Sequence, residues 1–133
     1  MTTDEERLRL LSIFHYVVAG LAGLFSLFPL FHIAMGAMML SGRFEPSSQT
    51  PDERLFGLLF IGIGSAFMAA GIGFSVCVAL AGRYLSQRRW YMFCLVMACV
   101  ECMFVPFGTV LGVFTIVTLQ NDSVRQLFDL TPS

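Results

Sequence analysis

The chain has 133 residues, 56% of them hydrophobic and only 13% charged, with a net charge of −1. A small soluble globule normally carries about a quarter of its residues as Asp, Glu, Lys and Arg. This composition, with a mean hydropathy of +0.77, therefore excludes an ordinary soluble domain and points to an integral membrane protein. The missing basic face also excludes sequence-independent binding to nucleic acid.

Three apolar segments follow in chain order: Leu10–Leu40, Leu55–Gly82 and Trp90–Leu119. Each exceeds the roughly 20 residues that cross a hydrocarbon core of about 30 Å. The leader before the first, "MTTDEERLRL", is acidic as well as basic, and no small-residue cleavage site follows the run. The first segment is therefore expected to stay as an anchor rather than to be removed as a signal peptide. "TDEE" at Thr3–Glu6 and "TPDE" at Thr50–Glu53 both fit a capping box, in which a threonine oxygen and a glutamate satisfy each other's backbone amides. They predict helix starts near Asp4 and Pro51, with Ser41–Thr50 as an exposed loop.

The second segment carries a row of small residues every fourth position, Ser65, Ala69, Gly73, Cys77 and Ala81, beside a parallel row of Gly62, Ala66 and Ala70. In lipid, close backbone approach drives helix association, so such rows predict packing faces. Gly108–Gly112 supplies a second small-x-x-x-small face, and Ala19 with Gly23 a weaker one.

Between the second and third segments, Arg83, Arg88 and Arg89 occur without an acid, whereas the connection around Glu45 balances its charges. The positive-inside rule places the arginine loop and the N-terminus in the cytoplasm and the Glu45 loop outside. Tyr84, Trp90 and Tyr91 fit an aromatic belt at the inner interface.

The third segment is interrupted by Pro106, with Gly108 close behind. Proline removes a backbone donor and clashes with the preceding turn. The expected architecture is therefore all-α: a polytopic helical membrane protein forming a single domain over residues 1–133. It has four transmembrane helices, the last two, Trp90–Val105 and Phe107–Leu119, meeting in a tight hairpin at Pro106. The alternative is three long helices with the third kinked.

The order of these elements resembles a group of small four-helix bacterial inner-membrane proteins. The resemblance rests on "FHY" (Phe14–Tyr16), "FPLFH" (Phe28–His32), "AGRYL" (Ala81–Leu85), "RRWYMFCLVMACVEC" (Arg88–Cys102), "PFGTVLGVFTIVTL" (Pro106–Leu119) and "SVRQLF" (Ser123–Phe128). It implies a four-span topology in the bacterial inner membrane and carries over no activity and no catalytic residue.

Polar residues inside the spans are the remaining candidates. Cys77, Cys94, Cys99 and Cys102 all fall in predicted spans, where thiols act mostly as small apolar fillers. The i, i+3 pair in "CVEC" has no second pair to complete a metal set. His15 and His32 lie about 25 Å apart along a helix, too far to flank one haem, and are read as interfacial, hydrogen-bonded residues. No cofactor or metal site is expected. Glu101 sits roughly 17 Å from the inner interface and His15 and Tyr16 roughly 10 Å, counting along their helices. No Lys or Arg lies in a span to neutralise Glu101. A carboxylate at that depth costs at least about 3 kcal/mol when ionised, so it must face protein or water. It is read first as a neutral structural carboxyl, second as part of a hydrated path for cations or protons, and third as a contact for a partner's cation.

Without a nucleophile–base pair or a phosphate loop, an enzyme is not expected. The leading expectation is a non-enzymatic membrane protein that assembles with itself or with a larger complex through its small-residue faces. An oligomeric cation or proton channel or transporter using Glu101 is the alternative.

Overall fold

The computed structural model describes residues 2–43, 51–104 and 106–129. Every regular element among them is helical: α1 (Thr3–Phe25), α2 (Pro29–Leu40), α3 (Pro51–Gln87), α4 (Tyr91–Glu101), α5 (Phe107–Leu119) and α6 (Asp122–Asp129). Thr50 and the Glu45 loop lie outside the described residues.

Helix α1 starts one residue earlier than the expected box. Thr2 is the cap: its Oγ1 accepts the Glu5 amide at 3.4 Å, and its own amide donates to Glu5 Oε2 at 3.2 Å. The box is thus "TTDE" rather than "TDEE", since only Thr2 stands three residues before a glutamate that turns back to it. The first apolar segment is not one helix. Pro29 offers no N–H, and the chain around it tightens into i→i−3 bonds: the amides of Leu27, Phe28 and Leu30 reach the carbonyls of Leu24, Phe25 and Leu27.

Two stretches, Thr3–Leu40 and Pro51–Gln87, are long and apolar enough to cross a membrane, while α4 and α5 are shorter apolar helices. The arms of 11 and 13 residues reach about 16 and 20 Å at 1.5 Å per residue. The third segment is broken rather than kinked, because α4 and α5 are separate and pack on each other. The break begins at Cys102, ahead of the expected Val105. Met103 and Phe104 bond back three residues to Val100 and Glu101, and the Thr109 hydroxyl covers the freed Cys102 carbonyl at 2.8 Å.

Contacts group the chain into two compact units, one containing the residues up to Leu21 and from Ser75 onward, the other Ala22–Phe74. In the second unit, α2 and the first half of α3 meet backbone to backbone. A Cβ placed on Gly36 would stand 2.7 Å from the Gly57 carbonyl oxygen, one on Gly64 3.0 Å from Ile33, and one on Gly71 2.7 Å from Ser26 Cβ. In the first unit, the later part of α3 meets α1 through Gly82, where a Cβ would stand 2.9 Å from His15 Cβ. The hydroxyls of Ser12 and Ser75 donate to the carbonyls of Gly82 and Ala19, each at 2.7 Å.

The intrachain packing row on α3 is therefore only in part the one read from the sequence. Ser65, Ala69 and Gly73 are exposed, Cys77 is half-buried and Ala81 is buried, and nothing among the described residues lies within 4 Å of a Cβ on Gly73. At about 100° per residue a four-residue step advances roughly 40°, so that row winds around the helix. A seven-residue step drifts only about 20°, so Gly57, Gly64 and Gly71 hold one face.

The first unit is closed at one end by a cluster of Leu8, Leu85, Cys94, Leu119, Val124 and Phe128. The amphipathic α6 contributes Val124 and Phe128, Tyr91 donates its hydroxyl to the Leu119 carbonyl at 2.9 Å, and the Arg125 guanidinium lies over the Tyr91 ring.

Candidate functional site

On α4, Cys94, Ala98 and Glu101 follow one another at helical spacing along the buried face. On α1 the buried face carries Leu8, Leu11, Ser12, His15 and Ala19. These faces place His15 Nε2 3.2 Å from Glu101 Oε2, with both side chains 0% exposed. Gly82 of α3 leaves room for the imidazole, since a side chain there would collide with His15 Cβ. On α5, Gly108 lets the backbone pass directly against the Glu101 carbonyl. Residues from four helices thus enclose the pair.

Hydrogen placement follows from the neighbours. His15 Nδ1 lies 2.8 Å from the Leu11 carbonyl oxygen, which can only accept, so Nδ1 carries a hydrogen. Two arrangements of the pair then leave it electrically neutral: a carboxylic acid facing the Nε2 lone pair, or a carboxylate facing an imidazolium. Both hold one proton between Oε2 and Nε2. The two atoms are within ion-pair reach but out of line for a hydrogen bond, so Nε2 and both carboxyl oxygens lack a hydrogen-bond partner among the described residues. Proximity is set by the backbones of α1 and α4, whereas alignment depends on the terminal carboxyl torsion, which is soft.

The sequence reading missed this partnership. It looked for Lys or Arg to balance Glu101 and placed His15 at the interface. Counting residues locates a group along its own helix but gives no offset between helices, and one turn is already about 5.4 Å. The usable signal was chemical: the first segment holds two imidazoles, His15 and His32, that could answer a carboxyl in the third, and the fold decides between them.

The other singled-out residues lie elsewhere. Tyr16 is exposed beside His15. His32 belongs to the second unit, half-buried and stacked on Phe60 with ring centroids 6.0 Å apart, and it lines an apolar groove of about 350 Å³ with Phe28, Pro29, Ile63, Gly64 and Phe67. The four cysteines are free: Cys94 is buried, Cys77 and Cys102 half-buried and Cys99 exposed. Gly108 and Gly112 are both buried in the α4–α5 contact.

The arginine turn has an acidic partner that the local sequence lacks, because Arg88 Nη1 donates to Glu5 Oε1 at 2.8 Å. The Thr2 amide, and after it the Arg88 guanidinium, hold the Glu5 carboxyl below the usual carboxylate range. The turn itself carries two non-glycine residues in left-handed backbone, Arg88 and Trp90, both at φ 56°.

Comparison of the chain with family models, curated proteins and solved structures gives no match.

Proposed function

We propose that the chain is a multi-pass protein of the bacterial inner membrane with no enzymatic activity. It assembles with a second copy of itself, or within a larger membrane complex, through one face of α3. The observation that carries this reading is that Ser65, Ala69 and Gly73 are exposed and Gly73 has open space where a Cβ would be. Gly71 and Gly73 are about 200° apart around the helix. The first is used inside the chain and the second is left over. A lipid-facing position gains nothing from being small, whereas a helix–helix contact in lipid does.

The test is subunit count in nanodiscs by native mass spectrometry. The original protein is expected as a dimer or larger, and Gly73→Leu as a monomer with unchanged helix content and melting, because nothing among the described residues lies within 4 Å of a Gly73 Cβ. A monomeric original protein, or Gly73→Leu assembling as before, sinks this reading.

Orientation rests on the arginines at 83, 88 and 89 and on Arg7 and Arg9. A hairpin of two short arms returns the chain to the side it came from, whether it crosses the bilayer or turns within it. Both termini are therefore expected in the cytoplasm. A reporter fused after Ser133 should be active only in its cytoplasmic form; activity only outside would contradict the hairpin topology.

One observation favours a second reading, in which His15–Glu101 takes up and releases a proton as part of a transport cycle. Buried polar atoms without partners are rare and call for a reason. This pair has three such atoms. Proton flux from liposomes that Glu101→Gln abolishes without changing subunit count would establish it, and equal flux or none in both proteins would dismiss it.

A further inference from the structure

Apart from the small-residue face of α3 and the His15–Glu101 pair, the first unit has a cavity of about 310 Å³ lined by Glu5, Leu8 and Arg9 of α1, Ser86 at the end of α3, and Arg88. We propose that this cavity binds a phosphate group, and that in the membrane this is the headgroup phosphate of an acidic phospholipid.

The lining has two guanidinium groups, one hydroxyl, one carboxylate and one apolar side chain. The carboxylate is already engaged on both oxygens: Glu5 Oε1 accepts from Arg88 and Oε2 from the Thr2 amide. Those contacts hold it ionised, and they fix the Arg88 guanidinium at the wall through one of its five N–H donors. Arg9 has no ion pair among the described residues, so the cavity keeps one unbalanced positive charge. Ser86 adds a donor of the kind that accompanies arginine at phosphates.

The backbone supplies a separate indication. Arg88 reaches Glu5 from a turn with two non-glycine residues, Arg88 and Trp90, in the disfavoured left-handed backbone region. Strain of this kind concentrates at sites where a side chain must be held in one place. Arg89 closes the turn through its amide to the Tyr84 carbonyl at 3.0 Å, and Tyr84 packs against Trp90 at 6.3 Å between centroids and against Phe93 at 5.5 Å. Amphipathic rings at this level mark the headgroup region. Basic pockets beside helix ends on the cytoplasmic side are suited to anionic headgroups.

The test uses the full-length protein, delipidated in neutral detergent, with binding of phosphatidylglycerol, phosphatidylcholine and inorganic phosphate measured by native mass spectrometry and by thermal shift. Phosphatidylglycerol is expected to bind at least about tenfold more tightly than phosphatidylcholine. Arg9→Gln combined with Ser86→Ala should weaken that binding by about tenfold or more, the loss of charge-assisted hydrogen bonds, without changing melting in detergent alone. Arg7→Gln, outside the cavity, should leave it intact. Inorganic phosphate that stabilises the protein as strongly as the lipid would keep the phosphate site but assign it to the free anion. Equal binding of both lipids, or retention of phosphatidylglycerol by the Arg9→Gln/Ser86→Ala protein, overturns the proposal.

Discussion

Glu101→Leu and His15→Leu are each expected to lower stability by about 1–3 kcal/mol, and the double variant to lose less than the sum of the two. Either single change leaves one polar partner in a fully buried position opposite an alkyl group. With Glu101→Leu, Nε2 has nothing to accept from. With His15→Leu, the Leu11 carbonyl loses its side-chain donor and the carboxyl faces only apolar surface. Replacing both partners removes the conflict, since a well-packed apolar pair in place of a buried polar one is often neutral or better.

Glu101→Gln distinguishes the two neutral arrangements. If the resting pair is a carboxylic acid facing the Nε2 lone pair, the amide N–H₂ of Gln donates in its place and stability changes little. If the pair is ionic, Gln removes the counter-charge of the imidazolium and lowers stability toward, but not to, that of Glu101→Leu, since its amide can still hydrogen-bond the ring. Reversible denaturation in detergent micelles, with the coupling energy taken from all four proteins of the cycle, is the measurement. A coupling energy indistinguishable from zero would mean that the 3.2 Å proximity contributes nothing.

Gly112→Leu is expected to separate α4 from α5, with a cost of about 1–3 kcal/mol or more and loss of the hairpin as a unit. A Cβ at that position would meet the Ala98 carbonyl oxygen at 2.5 Å, the Cys102 sulfur at 2.6 Å and the Cys102 amide nitrogen at 3.0 Å. Two of those three are backbone atoms, one in α4 at Ala98 and one just past its end at Cys102, and they cannot swing aside as a side-chain tip can. The helices must move apart, and the buried face of α5, with Leu111 and Thr115, would lose its contacts. Gly20→Leu is the matched control, because nothing lies within 4 Å of a Cβ there. Equal melting temperatures for Gly112→Leu and Gly20→Leu would show that the close approach is not needed for stability.

The two glycine comparisons, Gly112 against Gly20 and Gly71 against Gly73, show where reading the chain alone stops. The sequence identifies small residues on apolar helices, and small residues permit close approach. Which of them is approached depends on the rotation of each helix against its neighbour. The seven-residue spacing of Gly57, Gly64 and Gly71 was present in the chain, but it competed with a four-residue spacing that looked as regular. Only the period that stays on one face can seat a neighbour along its length.

The short α6 was similarly legible in retrospect. Val124, Leu127 and Phe128 follow an i, i+3, i+4 pattern, on a segment too short and polar to stand out from composition.

By itself the sequence determined the all-helical class, the apolar segments, the break near Pro106, and helix starts within a residue of Thr3 and Pro51. These follow from local causes: side-chain hydropathy over a window, a missing proline N–H, and a capping group within three residues of its target. The tertiary structure alone decided that His15 answers Glu101, that Glu5 holds Arg88, and that Gly73 has open space around it among the described residues. Each depends on how far one helix is shifted or rotated against another. A slide of one turn, about 5.4 Å, leaves every local preference satisfied while changing every partner, so no local pattern can encode it.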